Sequence, residues 1–377
     1  MEKLSYPIKY IAKYIYGSIP PRLRFHRTFW EMYNLLKKSQ WWSRQELAAY
    51  QLVQLKKLLR HSYENVPYYK RIFTETGFDP YNFNDIKDLR KLPFLTKDIV
   101  RNNLRDLVAQ NYPESKIETV TTGGTTDVPL NFCQEKKISD SVEDAFIFSL
   151  WNRVGFKFGD KRVSIRGAVA RTGRGNKFCE YDPIQKNLFL SSLDMTDASL
   201  QEYISTIREF QPDFFHVYPS VISILAKYMK KRNIKSFKNV KAILCCSEIL
   251  YPYQRTLLED VFQCRVYSWY GHAEKAVLAG ECEESSDYHI FPEYGITELI
   301  DRDNNVISNA DQEGEIVATG FNNYTLPFIR YRTGDLAIYS GKNCPCGRAY
   351  PLLEKVTGRE QEYFVDKNGS LVTFIWA

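Results

Sequence analysis

The chain has 377 residues, with 51 Lys and Arg against 45 Asp and Glu, giving a formal net charge of +6. That length supports a large core and two or three domains or subdomains, and apolar and charged fractions of 44% and 25% exclude a disordered chain. The mild positive charge admits an anionic small ligand, while the lack of any nucleic-acid-binding signature gives no reason to expect DNA or RNA.

No apolar run is long enough to span a bilayer and the N-terminus lacks the apolar core of a signal peptide, so a cytoplasmic protein is expected. From Tyr6 to Arg27, Ile8, Ile11, Tyr14, Ile15 and Tyr16 alternate with Lys9, Lys13, Arg22, Arg24 and Arg27. Two readings stand for this segment: a basic aromatic helix on an anionic membrane surface, or a helix packed on its own domain. Residues Trp30 to Phe73 read as helices, because Trp41, Leu47, Leu52, Leu55, Leu58 and Leu59 recur near helical spacing. Pro67 restricts Val66 to extended conformations, so a helix should end near Asn65. Thr96 is placed to N-cap a short helix.

From Thr119 the pattern becomes alternating strands and helices. Strands are expected over Arg162–Ala168, Asn187–Ser191, Phe214–Tyr218, Lys241–Cys246 and Arg265–Tyr270. Helices are expected over Asp140–Val154, Leu200–Phe210, Val221–Lys231 and Tyr253–Phe262. Such alternation implies βαβ units and a largely parallel sheet, with ligands outside the carboxyl ends of its strands. Two motifs fall at such ends: Ser247-Glu248 and Tyr270-Gly271-His272-Ala273-Glu274. After about Tyr288 the helical patterns stop. Strands are expected over Tyr294–Ile300, Gly314–Thr319 and Leu336–Tyr339, in a smaller antiparallel, barrel-like element.

Four constellations suit chemistry. In Thr121-Thr122-Gly123-Gly124-Thr125-Thr126-Asp127, adjacent glycines permit a tight turn, and hydroxyls with successive N–H groups suit phosphate oxygens. An ordinary polar hairpin turn is the alternative. Glu274, just past a strand, could hold Mg²⁺, or could be a surface residue opening the next helix. Asp335, read as following a Thr333-Gly334 turn, could accept two ribose hydroxyls, or stabilise its own turn. Cys344 and Cys346 at a Pro/Gly turn, with Cys282 and His289 upstream, compose a Cys3His set suited to structural Zn²⁺; reduced surface thiols are the alternative. The other four of the eight cysteines besides Cys133, namely Cys179, Cys245, Cys246 and Cys264, sit with it among apolar neighbours as reduced core residues. No Gly-x-Ser-x-Gly elbow or His-Glu-x-x-His occurs, so hydrolase readings are weak.

The order of the Thr/Gly loop, Tyr270–Glu274, Tyr331-Arg332-Thr333-Gly334-Asp335 and Gly358-Arg359 resembles the adenylate-forming (AMP-binding) enzymes. His61–Tyr69, Leu92–Lys97 and Cys344–Arg348 narrow the likeness to the phenylacetate–CoA ligase-like branch, including CapK-type capsular-polysaccharide proteins. The resemblance covers the chain from about Trp30. It implies an α/β fold with a large domain: a helical portion over residues 1–118, an α/β nucleotide-binding portion over 119–287 and a β-rich subdomain over 288–357. Residues 358–377 would be a hinge and the start of a C-terminal mobile domain that is largely missing.

The implied reaction joins a small carboxylic acid to ATP as an acyl-adenylate, then transfers the acyl group to a thiol such as CoA. On this likeness Thr122, Gly123, Gly124, Thr125 and Thr126 wrap the ATP phosphates, with Thr125 and Glu274 catalytic. Ser247, Glu248, Tyr270 and Gly271 border the adenine, Glu274 holds Mg²⁺, Asp335 binds the ribose and Arg359 contacts the nucleotide. The chain departs from the family at Asp127, where Gly is usual, and at Ala273, where Thr is common. The family's C-terminal lysine domain would lie beyond Ala377, and Lys367 in its turn is no substitute. A scaffold that binds nucleotide or acyl group without catalysis is the second reading.

Overall fold

A computed structural model describes residues 6–123, 129–167, 179–193, 195–359, 363–365 and 371–373, and of residues 6–10, 359, 363–365 and 371–373 the backbone alone. Gly124, Thr125, Thr126 and Asp127 lie outside the described residues, as do Ala168 and Lys367.

Helices dominate the first third: α1 (Tyr6–Ser18), α2 (Pro21–Arg24), α3 (Arg27–Ser39), α4 (Arg44–Asn65), α5 (Pro67–Thr76), α6 (Lys97–Asn102) and α7 (Leu104–Leu107). Helix α4 opens on a capping box, with the Ser43 side chain on the Glu46 N–H and Glu46 returning to the Ser43 N–H. It ends at Asn65 and α5 begins at Pro67, because Val66 is held extended at φ −115°, ψ 107°. Thr96 caps α6 through the Ile99 N–H, as its position predicts.

Strands β1 (Ile117–Thr121) and β2 (Asn131–Glu135) follow, then α8 (Ile138–Arg153), β3 (Arg162–Ile165), β4 (Cys179–Asp182), β5 (Asn187–Leu190), α9 (Asp197–Phe210), β6 (Phe214–Val217), α10 (Pro219–Lys231), β7 (Ala242–Cys245), α11 (Pro252–Phe262) and β8 (Arg265–Gly271). The remainder is β9 (Leu278–Gly280), β10 (Tyr288–Ile290), β11 (Gly295–Ile300), β12 (Glu313–Gly320), β13 (Tyr331–Tyr339), β14 (Leu352–Arg359), β15 (Tyr363–Val365) and β16 (Leu371–Thr373). The chain is therefore of mixed α/β class.

The chain forms two compact units, neither contiguous in sequence: residues 1–30 with 147–269, and residues 31–146 with 270–377. In the first, β5, β3, β6, β7 and β8 pair in that order and in parallel, and β4 lies antiparallel on β5. Strands β3, β6 and β7 are buried along their whole length, as strands covered on both faces must be. Leu225 and Met229 of α10 and Leu258 and Phe262 of α11 pack with Ile243 and Val266 in this core. Helix α1 sits close to the β4–β5 turn: a Cβ on Gly17 would meet the Pro183 carbonyl oxygen at 2.7 Å, so only glycine allows that approach.

In the second unit, β11, β12, β13, β14, β10 and β9 pair antiparallel in that order. Strands β1 and β2 pair as a hairpin, and β15 with β16. Leu55, Leu58 and Leu59 of α4 and Tyr69 and Phe73 of α5 share a core with Ile316, Ala318 and Tyr331.

One expectation is corrected. Thr333-Gly334 is no turn between strands but lies inside β13, which begins at Tyr331. The pairing shifts register between Glu315 and Val317, and Gly334 has φ +78°, a bulge that only glycine enters freely. Among the described residues no helix is long and apolar enough to cross a membrane.

Candidate functional site

Glu274 lies in the turn between β8 and β9, and no helix follows it, so its reading as a helix-opening surface residue fails. It is 6% exposed. One carboxylate oxygen accepts from the Tyr331 hydroxyl at 2.6 Å, and the other lies 2.9 Å from His272 Nδ1. Burial alone would raise this carboxyl, but the charge of His272 and hydrogen bonds from His272 and Tyr331 outweigh it and bring it down to about 2. Burial likewise opposes a charge on His272, and the Glu274 carboxylate overcomes it, raising the imidazole. Its oxygens also accept from the residue's own N–H, so three internal donors leave part of the carboxylate's capacity of about four lone pairs free. An ionised, nearly dry carboxylate with that spare capacity fits a Mg²⁺ whose other ligands are phosphate and water.

Asp335 stands beside this pair on β13. Its carboxylate accepts from the Tyr270 hydroxyl at 2.7 Å, and its own N–H donates to Thr333 Oγ1 at 3.0 Å. The Gly334 N–H and Arg332 Nε both donate to Glu315, at 3.1 and 2.7 Å, which fixes the bulge that presents Asp335. The rings of Tyr270, His272 and Tyr331 follow one another with centroids 6.3 and 6.2 Å apart. Tyr270, Glu274 and Asp335, 65 residues apart at their extremes, are thus brought together.

The hairpin that carries the Thr/Gly loop reaches the same place. Lys275, next to Glu274, donates to Gln134 of β2 at 3.0 Å and to Asp140 of α8 at 2.7 Å. At the loop's root the Thr122 N–H donates to the Leu130 carbonyl and the Leu130 N–H to Thr122 Oγ1, both at 2.9 Å. A Cβ on Gly123, the last described residue at this root, would meet nothing within 4 Å.

Ser247 and Glu248 belong to the other unit, just past the carboxyl end of β7. Ser247 takes φ +64°. The Glu248 carboxylate is engaged by the Ser220 N–H at 3.0 Å and the Ser220 hydroxyl at 2.9 Å, at the start of α10. Arg166 after β3, His216 of β6 and Cys246 after β7 meet at the same strand ends. His216 Nε2 lies 3.3 Å and Arg166 Nη1 3.4 Å from the Cys246 sulfur.

The Cys3His set converges as its residue types suggest. The ligand atoms of Cys282, His289, Cys344 and Cys346 all lie within 4.8 Å of one another. The Cys282 and Cys344 sulfurs are 3.6 Å apart, and Cys346 Sγ is 3.3 Å from His289 Nε2. A tetrahedron with Zn–S bonds of about 2.3 Å has sulfurs roughly 3.8 Å apart, so the set is close in size to a zinc site and needs shifts of about 1 Å or less to close on the metal. Cys282 follows β9, His289 lies in β10, and the other two sit in the loop between β13 and β14. Burial pushes the Cys344 thiol up to about 12 without a metal. The Arg348 guanidinium braces this loop, with Nη1 on both Glu283 oxygens at 2.9 and 3.0 Å and Nε on Gln40 at 3.0 Å.

No family model matches the chain. Among curated relatives, a phenylacetate–coenzyme A ligase of Aromatoleum evansii is 27% identical over 335 residues, covering 87% of this chain and 74% of the relative. Protein CapK of Staphylococcus aureus is 23% identical over 363 residues, covering 95% of this chain and 77% of CapK. Among solved structures, an open 2-hydroxyisobutyryl-CoA ligase in complex with 2-HIB-AMP and CoA matches with TM-score 0.69 at 20% identity, over 89% of this chain and 81% of that one. The same ligase in the postadenylation state with 2-HIB-AMP gives 0.71 at 21%, over 89% and 74%. In sequence and in fold this chain is similar to the adenylate-forming ligases.

Of the residues the adenylate-forming resemblance implies, Tyr270, Gly271, Glu274, Asp335 and the root of the Thr/Gly loop fall together in one unit. Arg359 pairs opposite Asp335 in the β13–β14 ladder. Three residues now prominent had no assigned role in the sequence: His272, Tyr331 and Lys275. His272 and Lys275 flank Glu274 closely enough that its neighbours could have been suspected. Tyr331 opens the Tyr331–Asp335 motif, but nothing local points it at Glu274, because that contact spans 57 residues.

Proposed function

We propose that this protein activates a small carboxylic acid with ATP as an acyl-adenylate and passes the acyl group to a thiol such as CoA. The observation that carries the proposal is the buried Glu274–His272–Tyr331 group beside the Tyr270–Asp335 pair, in a chain similar to ligases of this type. In the first step a substrate carboxylate oxygen attacks the α-phosphorus of ATP, and the bond from that phosphorus to the bridging oxygen breaks, releasing pyrophosphate. In the second the thiol sulfur attacks the acyl carbonyl and AMP leaves with the electrons of the carbon–oxygen bond. Little covalent chemistry falls to the protein, which orients the partners and offsets charge.

Asp335 would receive the ribose hydroxyls, held in place by the Tyr270 hydroxyl and the β13 bulge. Glu274 would hold Mg²⁺, which when bound neutralises phosphate charge; His272 and Tyr331 keep that carboxylate ionised and aimed. Thr122 to Thr126 would wrap the phosphates above the β1–β2 hairpin. Cys282, His289, Cys344 and Cys346 would hold a structural Zn²⁺. The resemblance to CapK-type capsular-polysaccharide proteins extends the proposal to an acyl group used in polysaccharide modification.

The test is pyrophosphate release from ATP with a panel of small carboxylic acids, paired with ATP binding by calorimetry. Asp335→Ala should weaken nucleotide binding by about ten- to a hundredfold, the value of hydrogen bonds to a charged group, while Tyr270→Phe costs less. Unchanged affinity in Asp335→Ala sinks the ribose assignment. Nucleotide binding with no pyrophosphate release from any acid would favour a binding scaffold instead.

A further inference from the structure

The N-terminal 30 residues combine three features that the ligase reading does not use. Between Glu2 and Glu31 the chain carries six basic residues and no acidic one. Of the eleven large hydrophobic side chains exposed among the described residues, five lie here: Ile11 at 59%, Tyr14 at 48%, Ile15 at 63%, Tyr16 at 44% and Leu23 at 76%. Ile11 and Ile15 stand at i and i+4, so they share one face of α1.

The exposure is not that of a loose end. Gly17 is pressed on the Pro183 backbone, Arg24 donates to the Ile184 carbonyl at 2.7 Å, and the Tyr14 ring meets Tyr181 at 6.1 Å. Phe25, just past α2, stacks on Phe29 at 4.2 Å and meets Phe148 and Phe158 edge-on. The segment is fastened to its unit from one side and offers apolar side chains and positive charge from the other.

We propose that α1 and α2 form a docking surface for an anionic lipid bilayer, lying in the headgroup layer without crossing it. The occupant follows from charge. Isoleucine and leucine side chains beside the exposed Arg22 and Arg27 complement acyl chains beneath negative headgroups, while Lys13, 4.0 Å from Glu180, is partly neutralised. A second copy of this face would bring like charges together, among them the exposed Arg22 and Arg27. Each Lys or Arg near such a surface strengthens partitioning by about fivefold, and two or three suffice to hold an apolar face that would otherwise bind weakly.

The experiment is co-sedimentation of the full chain with vesicles of equal parts phosphatidylglycerol and phosphatidylcholine, against pure phosphatidylcholine, at low and high salt. Binding to the anionic vesicles that weakens with salt is the expected result. Ile15→Ser with Leu23→Ser should reduce it by about tenfold through lost apolar insertion, and Arg22→Glu by a similar factor. These side chains are exposed, so circular dichroism and melting should match the parent chain. No binding to anionic vesicles, equal binding to neutral ones, or variants that bind as the parent does would each overturn the proposal. So would a parent dimer in sedimentation velocity that the serine variants dissolve, since the face would then join two copies. None of these outcomes depends on the ligase activity.

Discussion

His216 shows what a single residue contributes when it is buried without charge. It lies on β6 with its ring edge-on to Trp151 at 4.8 Å and its Nε2 at the Cys246 sulfur. Burial first, and then the guanidinium groups of Arg166 and Arg162, hold its imidazole well below the usual value of 6.5. The unfolded chain therefore takes up a proton near pH 6.5, whereas the folded chain does so only at much lower pH. Between those limits the unfolded state binds more protons, so stability rises with pH. The contribution of His216 is complete above about pH 6.5 and is lost as the pH falls below it. Melting curves from pH 8 to 5 should show a difference between the parent and His216→Gln that is flat at high pH and shrinks below about 6.5. A difference that does not change with pH would mean that His216 is not a buried neutral group.

At the level of the element, two glycines in one sheet should respond differently to the same substitution. Gly334 occupies the β13 bulge at φ +78°, and a Cβ there would meet nothing within 4 Å. Gly334→Ala should cost about 1–2 kcal/mol, from backbone strain alone. Gly295, at the start of β11, has no such φ, but its Cβ would stand 2.4 Å from the Thr319 carbonyl oxygen and 2.9 Å from that of Ala276. Both obstacles are backbone, so Gly295→Ala must part β11 from β12 and should cost about 3 kcal/mol or more. Urea titration of both variants checks the order, and a Gly334 variant less stable than the Gly295 one would refute it. The same bulge explains what the sequence conceals. Pro67 and Thr96 act locally, so the helix boundaries they set can be read directly. The β13 bulge is fixed by Glu315, 19 residues from Gly334, and Thr-Gly otherwise reads as a turn. Strands β9 and β10 have three residues each, too few to show a period, and β14 interleaves Glu354 and Lys355 with its apolar residues. Cys282, His289, Cys344 and Cys346 were legible as a set because Cys and His are rare and chemically distinctive, whereas the partner of Tyr331, one tyrosine among 26, was not.

Over the whole molecule, both units are assembled from distant segments, and the Cys3His cluster lies where one of them is tied together. Cys282 and Cys344 are 62 residues apart in sequence, and the cluster joins the end of β9, the middle of β10 and the β13–β14 loop. The pairing it borders is short, since β10 meets β14 through two register partners and β9 through two. A metal there would cross-link strands that few backbone bonds hold. Without it three thiols and an imidazole would face one another in a mostly buried space, and loading zinc must expel protons from the thiols. At free zinc a thousandfold above its dissociation constant, linkage stabilises the fold by about 4 kcal/mol, which corresponds to roughly 10 °C in melting temperature. The purified chain should therefore carry one zinc by elemental analysis, and Cys344→Ser should lose it. Chelation should lower the melting temperature by about 10 °C. Hydrogen exchange should then quicken in β10, β13 and β14 while β3, β6 and β7, whose core contains none of the four ligands, keep their protection. A metal-free chain that melts unchanged with chelator would reduce the cluster to buried thiols. Uniform loss of protection across both units would show instead that the metal holds more than the sheet it touches.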